Sequence, residues 1–203
     1  AERGPWPWFP YALDNGCFSL WDPALNHFDE KKWRDQGEAE WRRLLFWAAA
    51  APQKPAWAIV PDWPGDWTAT ARKYRDYVGE LTACGIPLAI AVQDGCTVRD
   101  VRNLTPTPAV VFVGGSTDWK WATAENWIKS FSRVHVGRCN SPEKLYWLES
   151  LGCESCDGTG WNRGDRKQTR GLEEWARSRA AVSAAPLWPH TSRARRRNQL
   201  TFA

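Results

Sequence analysis

Three carboxylates able to carry proton or nucleophilic chemistry, and one amide able to read a ligand edge, stand in short polar tips, each close behind an apolar run. Asp14 lies in Leu13-Asp14-Asn15-Gly16, Asp62 in Val60-Pro61-Asp62-Trp63, Gln93 in Val92-Gln93-Asp94-Gly95 and Asp157 in Cys156-Asp157-Gly158-Thr159. Two further tips follow Val113 (Gly114-Gly115-Ser116-Thr117) and Val136 (Gly137-Arg138). A carboxylate at such a place can attack an electrophilic carbon or carry a proton. Amide and carboxylate groups suit a flat ring edge that offers both donors and acceptors, and glycines let backbone approach that ring closely. Asp and Gly also favour plain turns, which explains one or two such tips better than a run of six.

The apolar runs before the tips predict the elements that must position them. Ala56–Val60, Pro87–Val92 and Ala109–Val113 read as strands, and Tyr11–Leu13, Val134–Val136 and Cys153–Cys156 as weaker ones. Between them, Trp41, Leu44, Leu45 and Ala48 recur at helical spacing, as do Tyr74, Tyr77, Val78 and Leu81. Ser141-Pro142 opens a helix carrying Leu145 and Leu148, and Gly85 closes the one ending near Cys84. Strands alternating with helices, the strands nearly all apolar, predict an α/β fold with a parallel sheet. No GxGxxG follows the first strand, so a dinucleotide fold has no support. A TIM-like (β/α) barrel would gather all six tips at one mouth. Six recognisable strands instead of eight point to a reduced barrel, or to further strands that are irregular, precede Ala1 or lie within 161–182. Residues 1–182 are expected to form this domain, with a last helix over Leu172–Val182, and residues 183–203 a basic, mobile tail.

Composition bounds the rest. The chain has 203 residues, enough for one domain with a sizeable core. Apolar residues make up 43%, and no uninterrupted apolar stretch is long enough to span a bilayer. Ala1–Pro10 is rich in Pro and Trp and lacks the apolar core of a signal peptide. A cytoplasmic location with the six cysteines reduced is therefore expected. Sixteen tryptophans exceed ordinary usage; most should pack the core or its rim, leaving a few as stacking surfaces. The net charge of +4 is uneven: residues 161–203 carry ten Lys/Arg against three Asp/Glu, and the rest seventeen against twenty. A basic end of this kind suits a polyanion or simply a solvated surface.

The ordered set Asp14-Asn15-Gly16, Asp62, Gln93-Asp94-Gly95, Gly114-Gly115, Gly137-Arg138 and Asp157-Gly158 resembles the tRNA-guanine transglycosylase superfamily. It looks closest to the compact phage-type enzymes that place deazapurines in DNA. The resemblance runs from Asp14 to Thr159, about three quarters of the chain. Each motif is short; their order and placement at strand ends carry the likeness. It implies a TIM barrel that exchanges guanine in a polynucleotide for a free 7-deazaguanine base, without a cofactor. Asp157 then matches the nucleophile that captures C1′, and Asp14 the acid/base that protonates the leaving base. Asp62 and Gln93 match side chains reading the purine edge, with Asn15 beside them, and Gly114 and Gly115 match backbone contacting the base. Arg138 and Lys120, on loops of the same face, would touch base or backbone. Arg163, Arg166, Lys167 and Arg170, directly after the nucleophile, would grip phosphates. Trp63, Trp119 and Trp161 are candidate stacking surfaces for an extruded base.

One feature of the tRNA enzymes is missing. Their zinc site of three Cys and one His lies after the nucleophile, whereas here no cysteine follows Cys156 and only His190 lies beyond. DNA is therefore favoured over tRNA, and no metal is expected. Cys153 and Cys156 with Cys139 and His135 offer a different zinc set, disfavoured because neighbouring strands should aim these residues different ways. Two other functions stay open: a deazapurine transferase or N-glycosidase acting on free nucleosides or nucleotides, and a purine or nucleic-acid binding barrel without catalysis.

Overall fold

The computed structural model describes residues 10–22, 24–25, 27–158, 160, 164–183 and 201–202. Tyr11–Leu13 leads into a short antiparallel pair, β1 (Trp21–Asp22) with β2 (His27–Phe28). Helix α1 (Glu30–Lys32), a π turn (Trp33–Gly37) and α2 (Glu38–Ala50) follow. Strands then alternate with helices: β3 (Ala58–Ile59), α3 (Trp67–Ala83), β4 (Leu88–Val92), α4 (Val98–Arg102), β5 (Val110–Val113) and α5 (Thr117–Ser130). The alternation continues through β6 (Val134–Val136), α6 (Pro142–Ser150), β7 (Ser155–Cys156), α7 (Arg166–Ser183) and β8 (Thr201–Phe202). Strands β3 to β8 form one sheet in chain order, every pair parallel. Leu13 adds a bridge to Ala58: its N–H donates to Trp57 O and its carbonyl accepts from Ile59 N, both at 3.0 Å.

Local sequence explains the elements. Asp66, Ser116 and Ser141 accept backbone N–H groups at the starts of α3, α5 and α6, and Thr97 with Asp100 forms a capping box on α4. Five of the six expected strands lie where the apolar runs are, most of them shortened at their ends, whereas Tyr11–Leu13 is not a strand and contributes only the isolated bridge of Leu13. The last helix differs: it begins at Arg166 instead of Leu172. Its first turn is polar and shows no stripe, yet Asp165 Oδ1 accepts from the N–H groups of Lys167 and Gln168 at 3.0 Å and starts it. Trp175 and Arg179 then dock it to Glu149 of α6 at 3.0 and 2.7 Å. The segment expected as a tail departs from that reading at both ends. Ser183 closes α7, and Thr201–Phe202 pairs with β7, which would otherwise leave open backbone groups at the sheet edge.

Alternation sends each strand's side chains to two faces. One set packs under the helices and builds the large core, with Ile90, Val92, Val111, Val113, Val134 and Val136. The other set, Trp57, Ile59, Ala89, Ala91, Val110 and Phe112, forms a second cluster on the opposite face. Trp57, at the entry to β3, holds its ring 5.0 Å from that of His135 on β6. Three strand steps of about 4.8 Å would put those positions roughly 14 Å apart in a flat sheet. The sheet therefore curls toward this face, a half-barrel with helices outside. Ala89 and Ala91 on β4 are small enough to let Trp57 reach across. No helix among the described residues is long and apolar enough to cross a membrane.

Candidate active site

In a parallel sheet all the loops after the strands leave from one rim, and the six tips meet there. The first three lock together. Asn15 Nδ2 donates to Val60 O at 3.0 Å and to Asp62 Oδ1 at 2.9 Å, and its Oδ1 accepts from Cys17 N. Asp62 Oδ2 accepts from Gln93 Nε2 at 2.6 Å. Gln93 Oε1 accepts from Gly65 N at 3.1 Å and Gly115 N at 3.0 Å. Asp94 ties the next loop by accepting from Ser116 N and Oγ, each at 2.6 Å. Asp14 is exposed at the rim and accepts from Gly16 N at 3.1 Å. Burial pushes the Asp62 carboxyl up to about 6, against the lowering pull of Asn15, Lys73 and Gln93.

Asp157 is held at both carboxylate oxygens. Its Oδ1 accepts from Arg138 N at 2.7 Å, and its Oδ2 faces His135 Nε2 at 3.2 Å. An ionised carboxylate only accepts, so Nε2 carries a hydrogen toward it, while Ser155 Oγ holds Nδ1 at 2.8 Å. Phe112 stacks on the ring at 4.8 Å and fixes its plane. Burial by itself would raise the Asp157 carboxyl. The His135 ring, the Arg138 N–H and the Lys120 ammonium outweigh burial and hold it below the usual carboxylate range. The side chain is still 27% exposed, so one edge remains open to a ligand.

Arg138 closes the ring of contacts. Its guanidinium donates to Gly115 O and lies 5.0 Å over the Phe18 ring, four residues beyond Asp14. Asn15, Asp62, Gln93, Gly115, Arg138 and Asp157 thus form one hydrogen-bonded chain, and Phe18 returns it to the Asp14 loop.

Several expected contacts come out differently. Asp62, Gln93 and Asn15 are buried and spend their polar atoms on one another and on backbone. They form the floor of the site, and any ligand would have to displace these bonds to reach them. The Gly115 N–H and C=O are likewise taken, by Gln93 and Arg138. Gly114 N bonds Val92 O. Lys120 is not a loop residue facing substrate: it lies in α5, buried, donating to Gly137 O at 2.6 Å. Arg170 pairs with Glu174 on α7, Arg166 and Lys167 are exposed there, and Arg163 lies outside the described residues. Trp63 packs on Phe28 at 4.8 Å, Trp119 lies 6.3 Å from Trp127, and Trp161 lies outside the described residues.

Four contributors were not assigned their place from sequence. His135 and Ser155 share the inward face of their strands with Phe112, and only strand register shows that. Phe18 is half exposed at the rim, which no spacing announces. Lys73 has its ammonium 4.6 Å from the Trp33 ring and 5.0 Å from that of Phe28, close enough to Asp62 to favour its charge. Its signal was present: Lys73 lies four residues before Tyr77, on that helix's apolar stripe. The zinc alternative does not form: Cys139, Cys153 and Cys156 pack in the helix-side core while His135 faces the concave side. Among the described residues no group of three or more His, Cys, Asp or Glu could hold a metal. No family model, curated protein or solved structure matches the chain.

Proposed function

We propose that this chain is a base-exchange glycosyltransferase that replaces guanine in a polynucleotide, DNA in preference to tRNA, by a free 7-deazaguanine. The curled α/β sheet is read as a reduced TIM-type barrel with its site at the C-terminal rim. The observation that carries this reading is Asp157: a carboxylate kept ionised by His135, the Arg138 N–H and Lys120, open on one edge, in the same contact ring as the Asp14 loop.

The chemistry uses each part. An Asp157 oxygen attacks C1′ as the C1′–N bond breaks, and the bonding pair leaves with the guanine. Asp14, at the solvent edge, gives the departing base its proton and takes one from the incoming base. The new base attacks C1′, and the electron pair of the C1′–O bond returns to Asp157. Two displacements retain the anomeric configuration. Asp62 and Gln93 read the base after giving up part of their mutual bond, a step made easier by the raised Asp62 carboxyl, which can donate as well as accept once protonated.

Incubation with guanine-labelled DNA or tRNA, with and without a 7-deazaguanine, tests the reading. Without added base, release should stop at about one equivalent of guanine per protein as the Asp157–C1′ bond forms, and repeated turnover should need the free base. Asp157→Asn should lower turnover by at least about a thousandfold while the nucleic acid still binds. Binding without any release by the wild-type protein would leave a purine-binding barrel. Multiple turnovers of release without added base would make the chain an N-glycosidase.

A further inference from the structure

Lys120 is placed against three unfavourable terms. It stands in the first turn of α5, at the positive end of the helix dipole. It is 1% exposed, and the Arg138 guanidinium is close enough to lower its pKa. An apolar side chain would fill the same stripe as Ala124 and Trp127 without any of these costs. What the ammonium does there is donate to Gly137 O at 2.6 Å. The Gly137 carbonyl and the Arg138 N–H belong to one trans peptide and point in opposite directions. The N–H on the far side is the one that donates to Asp157 Oδ1 at 2.7 Å.

We propose that Lys120 is a positioning residue for Asp157, acting through the Gly137–Arg138 peptide. The ammonium polarises the carbonyl and so strengthens the N–H donor, and it pins the peptide plane so that this donor stays on Oδ1. Arg138 has a φ of 57°, a left-handed conformation costly for a residue with a side chain. Bonds on both faces of its peptide hold it there, together with Cys139 N donating to Asp157 O at 2.5 Å. As the C1′–O bond breaks and the electron pair returns to Asp157, the polarised N–H stabilises the carboxylate being restored. This rests on Asp157 being the nucleophile. The groups facing Lys120 are Arg138 and Cys139 on the β6–α6 loop, Asp157 after β7, and Lys144 of α6 across the Trp121 ring. Burial first, then Arg138, brings the Lys120 ammonium down to about 8, so turnover should fall as pH rises through that value.

Lys120→Met tests the inference by carboxyl NMR of Asp157 and by kinetics on guanine-labelled DNA. The Asp157 titration should move up. Turnover should drop on the order of 10- to 100-fold with KM for DNA kept, and the loss of turnover above pH 8 should vanish. An unmoved Asp157 titration in the folded variant overturns the inference, whatever the kinetics. If the variant does not fold, the wild-type protein decides: the Arg138 amide nitrogen should titrate with Lys120, and a flat trace overturns it. A wild-type protein that never releases guanine but shows both NMR effects would remove the transglycosylase reading and leave the relay standing.

Discussion

Lys120 and Asp62 are buried groups whose charge the packing opposes, and each leaves a signature in stability against pH. Lys120 binds its proton less tightly folded, near 8, than unfolded, near 10.5. Between those values the unfolded chain holds more protons, so losing the buried ammonium stabilises the fold as pH rises while turnover falls. Lys120→Met removes the penalty of the buried charge but leaves Gly137 O without its donor, a loss of about 1–3 kcal/mol that offsets it at pH 7. Urea unfolding should show the wild type gaining on the variant above pH 8. Asp62 has the opposite history: its carboxyl is near 6 folded against 3.8 unfolded. Its stabilising contribution is complete below the unfolded value and is lost as pH rises through about 6. Asp62→Asn should flatten that slope. It should also cost about 1–3 kcal/mol at pH 5, because one acceptor becomes a donor facing Asn15 or Gln93.

The strands and their tips share one requirement, that the side chain under each tip leave room for it. Gly137 follows β6 directly over Phe112, and a Cβ there would lie 2.7 Å from the ring's Cζ. Phe112 is also what holds the His135 plane. Gly137→Ala should therefore cost about 1–3 kcal/mol and, by tilting Phe112 and His135, lower turnover beyond what the stability loss explains. Phe112→Leu in the same background should restore stability but not turnover, which calorimetry and base-exchange assays would separate. Gly115 is constrained twice: its φ is +69°, and a Cβ would come within 2.5 Å of Asp94 Oδ1.

At the scale of the whole molecule, charge and curvature divide the work. The sheet curl sets which side chains meet, and the uneven charge sets what can approach them. Residues 161–203 hold all of the positive excess, the rest of the chain being net negative, although Arg170, Arg177 and Arg179 spend theirs on Glu174, Glu173 and Glu149. Arg166 and Lys167 are left exposed at the start of α7. Base exchange on a polynucleotide should therefore weaken with salt, by a slope smaller than ten cations would give, and exchange on a free nucleoside should not. Replacing both residues by Gln should reduce that slope by about two.

The amino-acid sequence by itself determined the parallel α/β alternation and the tips at the strand ends. Both are local: apolar runs of strand length, amphipathic stripes, and caps such as Ser141-Pro142 are written within a few neighbouring residues. It also put Asp14, Asn15, Asp62, Gln93 and Asp157 among the residues of interest. What they do to one another was decided only by tertiary structure. That Asp62 and Gln93 satisfy each other, that Lys120 is buried behind a peptide bonded to Asp157, and that His135 faces the same carboxylate depend on strand register and on the curl of the sheet. Those distances join residues far apart in the chain, and no spacing within one strand or helix encodes them. The curl lets Trp57 cross over two alanines to reach His135, a packing fact that appears only once four strands lie side by side.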